Sequence, residues 1–132
     1  MQYRVANIND LESLAKLHAE SWRESYRGIF PDEFLDNDVW EERKNSWSKR
    51  LTSPKSNQYV LLAIENNEVC GFICAFGNES SKWGTFIDNL HVAKSTKGKG
   101  VGKQLLHLAA KWADEAFEHK GVYLEVLYPF NL

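Results

Sequence analysis

Apolar residues at helical spacing occupy the first part of the chain. The helical face runs through Leu11, Leu14, Ala15, His18 and Trp22. Residues three or four positions apart lie on one side of a helix, so this pattern predicts a helix that buries one stripe. We place its N-terminal cap at Asn9-Asp10, with Glu12 three residues after the cap. A second helix is expected to begin near Asp32, just after Pro31.

The middle of the chain favours strands. The runs that are rich in β-branched and aromatic residues are 59–64, 69–76 and 83–92. Residues 51–58 precede them as a loop by composition, and residues 3–6 add a short strand near the start. Asn66-Asn67 suits the tight turn of a hairpin, and the polar segment 77–82 suits a second turn. The pattern predicts an antiparallel meander of three strands.

A third helical stripe begins after residue 100. Its apolar positions are Val101, Leu105, Leu108, Ala109, Trp112 and Ala116. This stripe predicts a helix over residues 100–119, which Gly121 ends. Residues 123–127 then have the composition of a strand, which we expect to pair in parallel with residues 83–92 through the helical crossover. The order of elements predicts a single domain over residues 1–132, of the α/β class with a mixed sheet (α+β).

A loop rich in glycine and lysine lies between the meander and the third helix. It comprises Lys97, Gly98, Lys99, Gly100, Val101, Gly102 and Lys103. Glycine lets successive backbone N–H groups converge on one anion, and the helix N-terminus and the lysines add positive charge there. The loop therefore predicts a phosphate site, and the alternative is a flexible turn that only caps the helix.

Two well-known phosphate loops do not fit this segment. A Walker loop has glycine at position 97 and serine or threonine at position 104, where this chain has Lys97 and Gln104. The dinucleotide fingerprint requires glycine at position 103, where this chain has Lys103. The sequence therefore argues against nucleotide hydrolysis and against a Rossmann fold.

Composition and charge argue against several classes of binding partner. The formal net charge of -2 gives no overall attraction to nucleic acid. The longest apolar run, residues 59–64, is too short to cross a membrane, and the first residues do not resemble a signal peptide, so we expect a cytoplasmic protein with no membrane partner. Cys70 and Cys74 lie roughly 13 Å apart along one strand. No histidine or acidic cluster accompanies them, so we expect buried thiols and no metal.

The glycine loop resembles the pyrophosphate loop of the GCN5-related N-acetyltransferase (GNAT) superfamily. That pattern is glutamine or arginine, two residues, glycine, one residue, and then glycine or alanine. Gly100 and Gly102 match it, whereas Lys97 replaces the first residue. The other segments that resemble the family are 22–28 with Pro31, 87–92, and 124–126 with Asn131. The resemblance covers almost the whole chain and implies the acyl-CoA N-acyltransferase fold.

The same resemblance implies acetyl transfer from acetyl-CoA, as co-substrate, to a primary amine of a small molecule or peptide. In the family the cofactor is held by backbone at the positions of Leu90 and Val92, by the loop of residues 97–103, and by an asparagine at the position of Asn131. A backbone N–H near Leu90 would stabilise the oxyanion. Asp88 is the nearest candidate base by position, and a solvent-facing strand residue is the alternative.

Strand alternation makes a specific prediction about these residues. It places Asp88 on the face of Phe86 and Leu90, and it places His91, the second candidate base, on the opposite face. On the acceptor side, Trp22 and Tyr26, with Phe30 and Phe34, are candidates for a pocket wall. Core packing is the alternative for aromatics at helical spacing. The acidic run over residues 32–42 could attract a cationic amine such as a polyamine or an amino sugar, although a solvated helix face is the simpler explanation.

The end of the sequence differs from the family pattern. Family members continue after the asparagine with a helix that carries a tyrosine, and with two more strands. The chain thus resembles a C-terminally truncated member without the tyrosine that protonates the leaving thiolate. We expect a homodimer that buries the open sheet edge at residues 123–127. The alternatives to an enzyme are a non-catalytic acyl-CoA-binding module and an assembly module that uses this edge.

Overall fold

The computed structural model describes residues 1–117 and 121–125. Its strands are β1 (Gln2–Val5), β2 (Gln58–Glu65), β3 (Glu68–Ser80), β4 (Gly84–Val92) and β5 (Val122–Leu124), and its helices are α1 (Leu11–Ser25), α2 (Val39–Thr52) and α3 (Val101–Ala116). Short 3-10 turns cover Ile8–Asp10 and Lys94–Thr96, and a π-helical turn, Phe34–Asp38, leads into α2. Within the described residues, no helix is long and apolar enough to cross a membrane.

The five strands form one sheet in the order β1-β2-β3-β4-β5. The first four are antiparallel neighbours, and β5 pairs in parallel with β4 after the α3 crossover. This confirms the predicted mixed sheet and the parallel last strand. Asn66 and Asn67 have φ of 53° and 63°, which is the backbone of a two-residue hairpin turn, as predicted.

Helices cover both faces of the sheet. On one face α3 buries Val101, Leu105 and Ala109 against Ile73 and Ile87 of the central strands. On the other face α1 and α2 bury Leu14 and Trp47 against Leu62, Phe72 and Cys74. Successive strand residues point to opposite faces, so the strands with both faces covered are almost continuously apolar. A fully buried side chain of this size contributes roughly 1.5–3 kcal/mol, so both layers are needed for stability.

Several predicted boundaries are wrong by a few residues. The N-cap of α1 is Asp10, within the predicted Asn9-Asp10, although its side chain makes no capping bond. The capping box lies earlier, at the start of the 3-10 turn, where the Asn7 side chain accepts the Asn9 N–H at 2.9 Å and the Asp10 carboxylate accepts the Asn7 N–H at 2.8 Å. The predicted loop 51–58 is shorter at both ends, and β3 continues through most of the predicted turn 77–82 to Ser80. Helix α3 ends at Ala116. Residues 118–120 and 126–132, including Asn131, lie outside the described part.

A β-bulge interrupts the pairing of β3 with β4. Cys74 faces Asn89 and Ala75 faces Ile87, so Asp88 has no partner on β3. Asp88 and Asn89 therefore both project toward α1 and α2, whereas Leu90 packs with the α3 layer. The predicted alternation is wrong here. Asp88 does not share the face of Leu90, and His91 lies on the same side as Asp88, against Ser21 of α1.

A close backbone approach ties the start of β4 to the start of β5. Gly84 has φ of 92°, and a Cβ at this residue would lie 2.3 Å from the carbonyl oxygen of Gly121. The same Gly121 oxygen accepts the N–H of Thr85 at 3.0 Å. Only glycine fits this position, because any side chain would collide with backbone that is already hydrogen-bonded. β5 is thereby held against the first half of β4.

Candidate functional site

The glycine loop forms the start of α3. Gly98 and Gly100 have φ of 87° and 77°, and a Cβ at either residue would meet no atom within 4 Å. Gly100 occupies the N-cap, so the first N–H groups of α3 have no carbonyl partner within the helix. The backbone is thus open toward solvent at the positive end of a 16-residue helix. This is the arrangement that binds phosphate groups.

The lysines of the loop surround this opening. Lys97, Lys99 and Lys103 are all exposed, and the Lys99 ammonium lies 3.6 Å from the carboxylate of Glu65. The Val101 side chain is buried in the core, so only its backbone can serve an anion. Gly102 lets the helix pack close to Val92, which lies 3.5 Å from the position of a Cβ there. The structure therefore brings together all of the loop residues that the sequence singled out.

The preceding segment fixes the loop to the sheet. Ala93 donates its N–H to the carbonyl oxygen of Cys70 at 2.7 Å, and the buried hydroxyl of Thr96 donates to the carbonyl oxygen of Ala93 at 3.1 Å. The opening at Gly100 consequently has a fixed position relative to β3 and β4. A site built on anchored backbone loses little conformational entropy when a ligand binds.

The last half of β4 has a free edge. β5 pairs only with Thr85, Phe86 and Ile87, and in the described residues no strand pairs with that side of β4 beyond Ile87. Because Ala93 directs its N–H toward β3, alternation directs the N–H and C=O groups of Leu90 and Val92 away from β3. The free groups of both residues thus line an edge that leads directly to the glycine loop.

Asp88 belongs to a polar network at the bulge. Its Oδ2 atom forms an ion pair with Arg50 Nη1 at 2.8 Å and accepts a hydrogen bond from Asn89 Nδ2 at 2.7 Å. Asn89 in turn lies beside His18. Asp88 Oδ1 accepts no hydrogen bond from any described residue. The carboxylate is held in place through one oxygen while the other remains available for a proton.

Two neutral histidines lie behind the bulge. His18 is fully buried between the indole N–H groups of Trp47, 2.9 Å from Nδ1, and Trp22, 3.1 Å from Nε2. Burial, with His91 and two arginines nearby, lowers the pKa of His18 to about 2. His91 Nδ1 lies 2.5 Å from the Ser21 hydroxyl, and burial together with Lys97 lowers the pKa of His91 to about 4. Both rings are therefore uncharged at neutral pH.

These histidines predict that the fold loses stability in mild acid. The unfolded chain takes up protons on histidine below pH 6.5, whereas folded His18 and His91 do not, so stability is complete above that value and falls as the pH decreases. We expect a loss of about 1 kcal/mol per pH unit for each histidine between pH 6 and pH 5. Urea unfolding at several pH values measures this slope.

A matched variant isolates the contribution of His18 from that of other titrating groups. His18→Gln should reduce the slope of unfolding free energy against pH, whereas the same change at exposed His107 on α3 should leave it unchanged. Equal slopes for the two variants would contradict the prediction. The slope is the relevant quantity because His18→Gln also removes packing and lowers stability at every pH.

The predicted acceptor wall is a packed aromatic cluster. Trp22 stacks on Phe30 with ring centroids 5.3 Å apart, and the Arg43 guanidinium lies 4.8 Å from the centroid of Trp22. Tyr26 packs edge-on against both rings. Because Phe30 and Arg43 already cover Trp22, this cluster serves first to join α1 to the segment before α2. Trp22 and Tyr26 are half-buried, and the indole N–H of Trp22 contacts His18, which lies beside Asn89 of the Asp88 network.

The acidic run beside this cluster is partly neutralised. Arg27 forms ion pairs with Asp32 at 3.3 Å and with Asp36 at 2.5 Å, and Arg43 pairs with Glu42. These contacts are exposed or nearly so, and such pairs contribute little to stability. They reduce the attraction of the run for a cationic ligand.

Sequence reasoning missed three residues of the site. Arg50, Asn89 and Ser21 all contact Asp88 or His91, yet each of the contacts of Arg50 and Ser21 joins residues that are far apart in the chain. Asn89 could have been found only with knowledge of the bulge, since regular alternation would separate it from Asp88. Among the described residues, no group of three histidine, cysteine or acidic side chains is placed to hold a metal ion.

Comparisons with known proteins identify the chain's relatives. The Acetyltransferase (GNAT) family profile matches residues 17–132. The uncharacterized N-acetyltransferase YuaI of Bacillus subtilis (strain 168) is 28% identical over 120 residues, which cover 88% of this chain and 64% of that protein. The spermidine N(1)-acetyltransferase of Thermoplasma acidophilum is 29% identical over 118 residues, which cover 84% of this chain and 69% of that protein. The chain thus spans about two thirds of the length of these relatives.

A solved structure shows the same fold. The PaiA N-acetyltransferase from Thermoplasma acidophilum, crystallised in complex with coenzyme A, superposes with a TM-score of 0.71 at 24% sequence identity. The match covers 88% of this chain and 74% of that chain. The predicted acyl-CoA N-acyltransferase fold is therefore confirmed.

Proposed function

The chain belongs to the GNAT acetyltransferase family, and from that premise we propose that it transfers an acetyl group from acetyl-CoA to a primary amine by direct attack on the thioester. The observation that carries this proposal is the continuity between the free edge of β4 and the open N-terminus of α3. An extended ligand with a pyrophosphate at one end fits such a surface, because it needs backbone partners along its arm and N–H donors at its charged end.

The cofactor would bind in two parts. The pyrophosphate would lie at residues 97–103, where helix N–H groups and lysine ammonium groups meet. The pantetheine arm contains amide groups, and it would pair with the N–H and C=O groups of Leu90 and Val92 as an added strand. We retain Asn131 as a further candidate contact, on the family resemblance alone, because it lies outside the described residues.

The bond changes need only groups that the site supplies. The amine nitrogen attacks the thioester carbon, and the carbonyl oxygen becomes an oxyanion that the N–H of Leu90 would stabilise. As the tetrahedral intermediate collapses, the carbon–sulfur bond breaks and its electron pair leaves with the thiolate of coenzyme A. The proton lost by the amine would pass to Asp88 Oδ1 and then through solvent to the thiolate.

Arg50 and Asn89 would position Asp88 for this role. Arg50 forms an ion pair with Oδ2 of the carboxylate and Asn89 donates a hydrogen bond to it, which leaves Oδ1 for the incoming amine or for a water that relays its proton. The bulge directs the carboxylate to the helix α1 and α2 side of β4, whereas the backbone of Leu90 opens along the strand edge. The proposed base and the proposed oxyanion donor therefore approach one reaction centre from different directions.

The proposal also covers the cellular setting. We place the protein in the cytoplasm, with no metal and no nucleic-acid partner, and as a homodimer joined through the edge at β5. Support for the dimer comes from three exposed apolar residues near this edge, Trp83, Val122 and Leu124, of which Trp83 and Leu124 are each 57% exposed. Light scattering of the purified chain measures its oligomeric state.

Two measurements test the proposed function. Isothermal titration of acetyl-CoA into the purified chain should give saturable binding, and addition of amines should then give amine-dependent release of coenzyme A thiol. Absence of binding would contradict the proposal. Binding without release for any amine would instead support the acyl-CoA-binding module, because the loop and strand edge would function without the chemistry.

A further inference from the structure

A cavity of about 400 Å³ lies beside Asp88. It is bounded by the end of α2 and by β3 and β4, and its walls include Lys49, Arg50, Lys55, Phe76, Phe86 and Asp88. Its volume is in the range of pockets that hold small organic molecules. If Asp88 takes the proton of the acceptor amine, this cavity is where the rest of the acceptor would lie.

The Arg50–Asp88 ion pair leaves positively charged N–H donors of Arg50 and one negatively charged oxygen of Asp88 available to a ligand. Arg50 uses Nη1 to contact Asp88 and, at 3.6 Å, the Cys74 sulfur, and in the described residues neither Nε nor Nη2 donates a hydrogen bond. Asp88 makes its contacts through Oδ2, and its Oδ1 atom accepts no hydrogen bond from a described residue. The pair therefore presents guanidinium donors next to a carboxylate acceptor, with the paired atoms 2.8 Å apart.

Aromatic rings hold the Arg50 guanidinium in place. Its central carbon lies 5.1 Å from the ring centroid of Trp47 and 6.0 Å from that of Phe76. Such stacking fixes the plane of the guanidinium, which is the condition for two parallel hydrogen bonds to a carboxylate. Arg50 is thus prepared to bind a planar anion.

The rest of the cavity favours an anion over a polycation. Lys49 and Lys55 lie exposed at its rim, and the Lys55 ammonium is 5.4 Å from the centroid of Phe76. Glu79 also borders the cavity, but it accepts a hydrogen bond from Asn57 at 2.7 Å. Three cationic side chains therefore face two carboxylates, of which one is Asp88 itself. A ligand with several ammonium groups would be repelled by this set.

We propose that the acceptor is an α-amino acid. This inference rests on the proposed function. The α-amine would bind at Asp88 Oδ1 and the α-carboxylate at Arg50 Nε and Nη2, because an α-amino acid carries these groups on one carbon and so matches an adjacent pair of opposite charges. An apolar side chain would lie against Phe76 and Phe86. The bond changes are those given above, with the α-amine as the nucleophile.

The first experiment compares acceptors that differ in charge. Leucine, isoamylamine and spermidine are each supplied with saturating acetyl-CoA, and coenzyme A thiol release gives kcat/KM. Isoamylamine is leucine without its carboxylate. We expect kcat/KM for leucine to exceed that for isoamylamine by at least 10-fold, and spermidine to be the poorest acceptor. A higher kcat/KM for spermidine than for leucine would overturn the inference and leave the proposed function intact.

Variants of the cavity test the same point. Arg50→Lys keeps the charge but loses the planar fork, so it should raise KM for leucine about 10-fold more than it raises KM for isoamylamine. Lys55→Glu should also raise KM for leucine selectively. Lys111→Glu, an exposed lysine on the opposite helix layer, is the matched control and should change neither value. Equal effects on both amines would contradict a carboxylate site.

Direct binding separates failure of the inference from failure of the proposed function. Titration of leucine and of spermidine into the chain, with and without acetyl-CoA, needs no turnover. Leucine binding that Arg50→Lys weakens would support the cavity assignment even if no amine were acetylated. If acetyl-CoA binds and leucine neither binds nor reacts, the inference is wrong. If acetyl-CoA does not bind, the proposed function is wrong, and the leucine titration still decides the ligand class.

Discussion

Gly100→Glu is expected to weaken acetyl-CoA binding at least 100-fold. Gly100 has φ of 77° at the N-cap of α3, a conformation that costs a side-chain-bearing residue roughly 1–2 kcal/mol. The larger effect is electrostatic, because a carboxylate would stand where helix N–H groups and Lys97, Lys99 and Lys103 converge. It would compete with the pyrophosphate for those donors and repel it. Isothermal titration measures the change in affinity.

Gly28→Glu is the matched control for this variant. Gly28 also has a left-handed backbone, with φ of 83°, and a Cβ there would meet no atom within 4 Å. The change adds the same charge and comparable strain in the connection between α1 and α2, away from the glycine loop. Acetyl-CoA affinity should stay within about 3-fold of the parent chain for a surface change of this kind. Similar losses in both variants would show that strain or net charge, and not the loop, controls binding.

Asp88→Asn is expected to lower kcat about 100-fold without weakening acetyl-CoA binding, because positioned general bases contribute 10²–10⁴-fold. Asparagine keeps the shape of the side chain and still offers one oxygen to Arg50 and Asn89. What is lost is the oxygen that accepts the amine proton. The pH dependence of kcat should change as well, since the group that takes up the proton is gone. Thiol release at saturating substrate over a range of pH measures both effects.

Asp38→Asn provides the comparison for Asp88→Asn. Asp38 is an exposed carboxylate at the start of α2, so this change removes the same charge outside the network. It should leave kcat and its pH profile as in the parent chain. An unchanged pH profile for Asp88→Asn would remove Asp88 as the base and leave His91, the second candidate base, which lies on the same side of β4 against Ser21.

The order of elements could be predicted because it depends on local patterns. The helical stripe of α3, the Asn66-Asn67 turn and the glycine loop each carry their information within a few residues. The predicted positions of the helix caps and of the strand ends were less accurate. Helix α1 begins after Asp10 as predicted, but the side-chain cap belongs to Asn7, because a 3-10 turn precedes the helix and the Asp10 carboxylate accepts the Asn7 N–H. Strand β3 continues beyond Phe76 through polar residues as far as Ser80. Ser80 pairs with Gly84 of β4 after an irregularity in the register, which the sequence pattern does not indicate.

The acid–base part of the site could not be predicted from local patterns. A bulge shifts the strand by one residue and reverses the facing of every later side chain, but it is decided by pairing across strands. The Arg50–Asp88 and Ser21–His91 contacts likewise depend on how α1 and α2 pack on the sheet. Such contacts become visible only when the tertiary structure is known. The glycine loop at the start of α3 is a local pattern, so it could be singled out from the sequence. The free edge at Leu90 and Val92 depends on how far β5 pairs along β4, so only the family resemblance pointed to it.

Two indole N–H groups lie within hydrogen-bond distance of His18, one at each ring nitrogen, and this contact gives the molecule an optical property. Trp22 and Trp47 are two of its five tryptophans, and both touch a single imidazole. An uncharged imidazole and an imidazolium quench indole emission to different extents. Because His18 stays uncharged while the chain is folded, emission from both indoles in mild acid reports the unfolding that exposes and protonates this ring. The two tryptophans are thus an intrinsic fluorescent probe at the junction of α1 with the sheet.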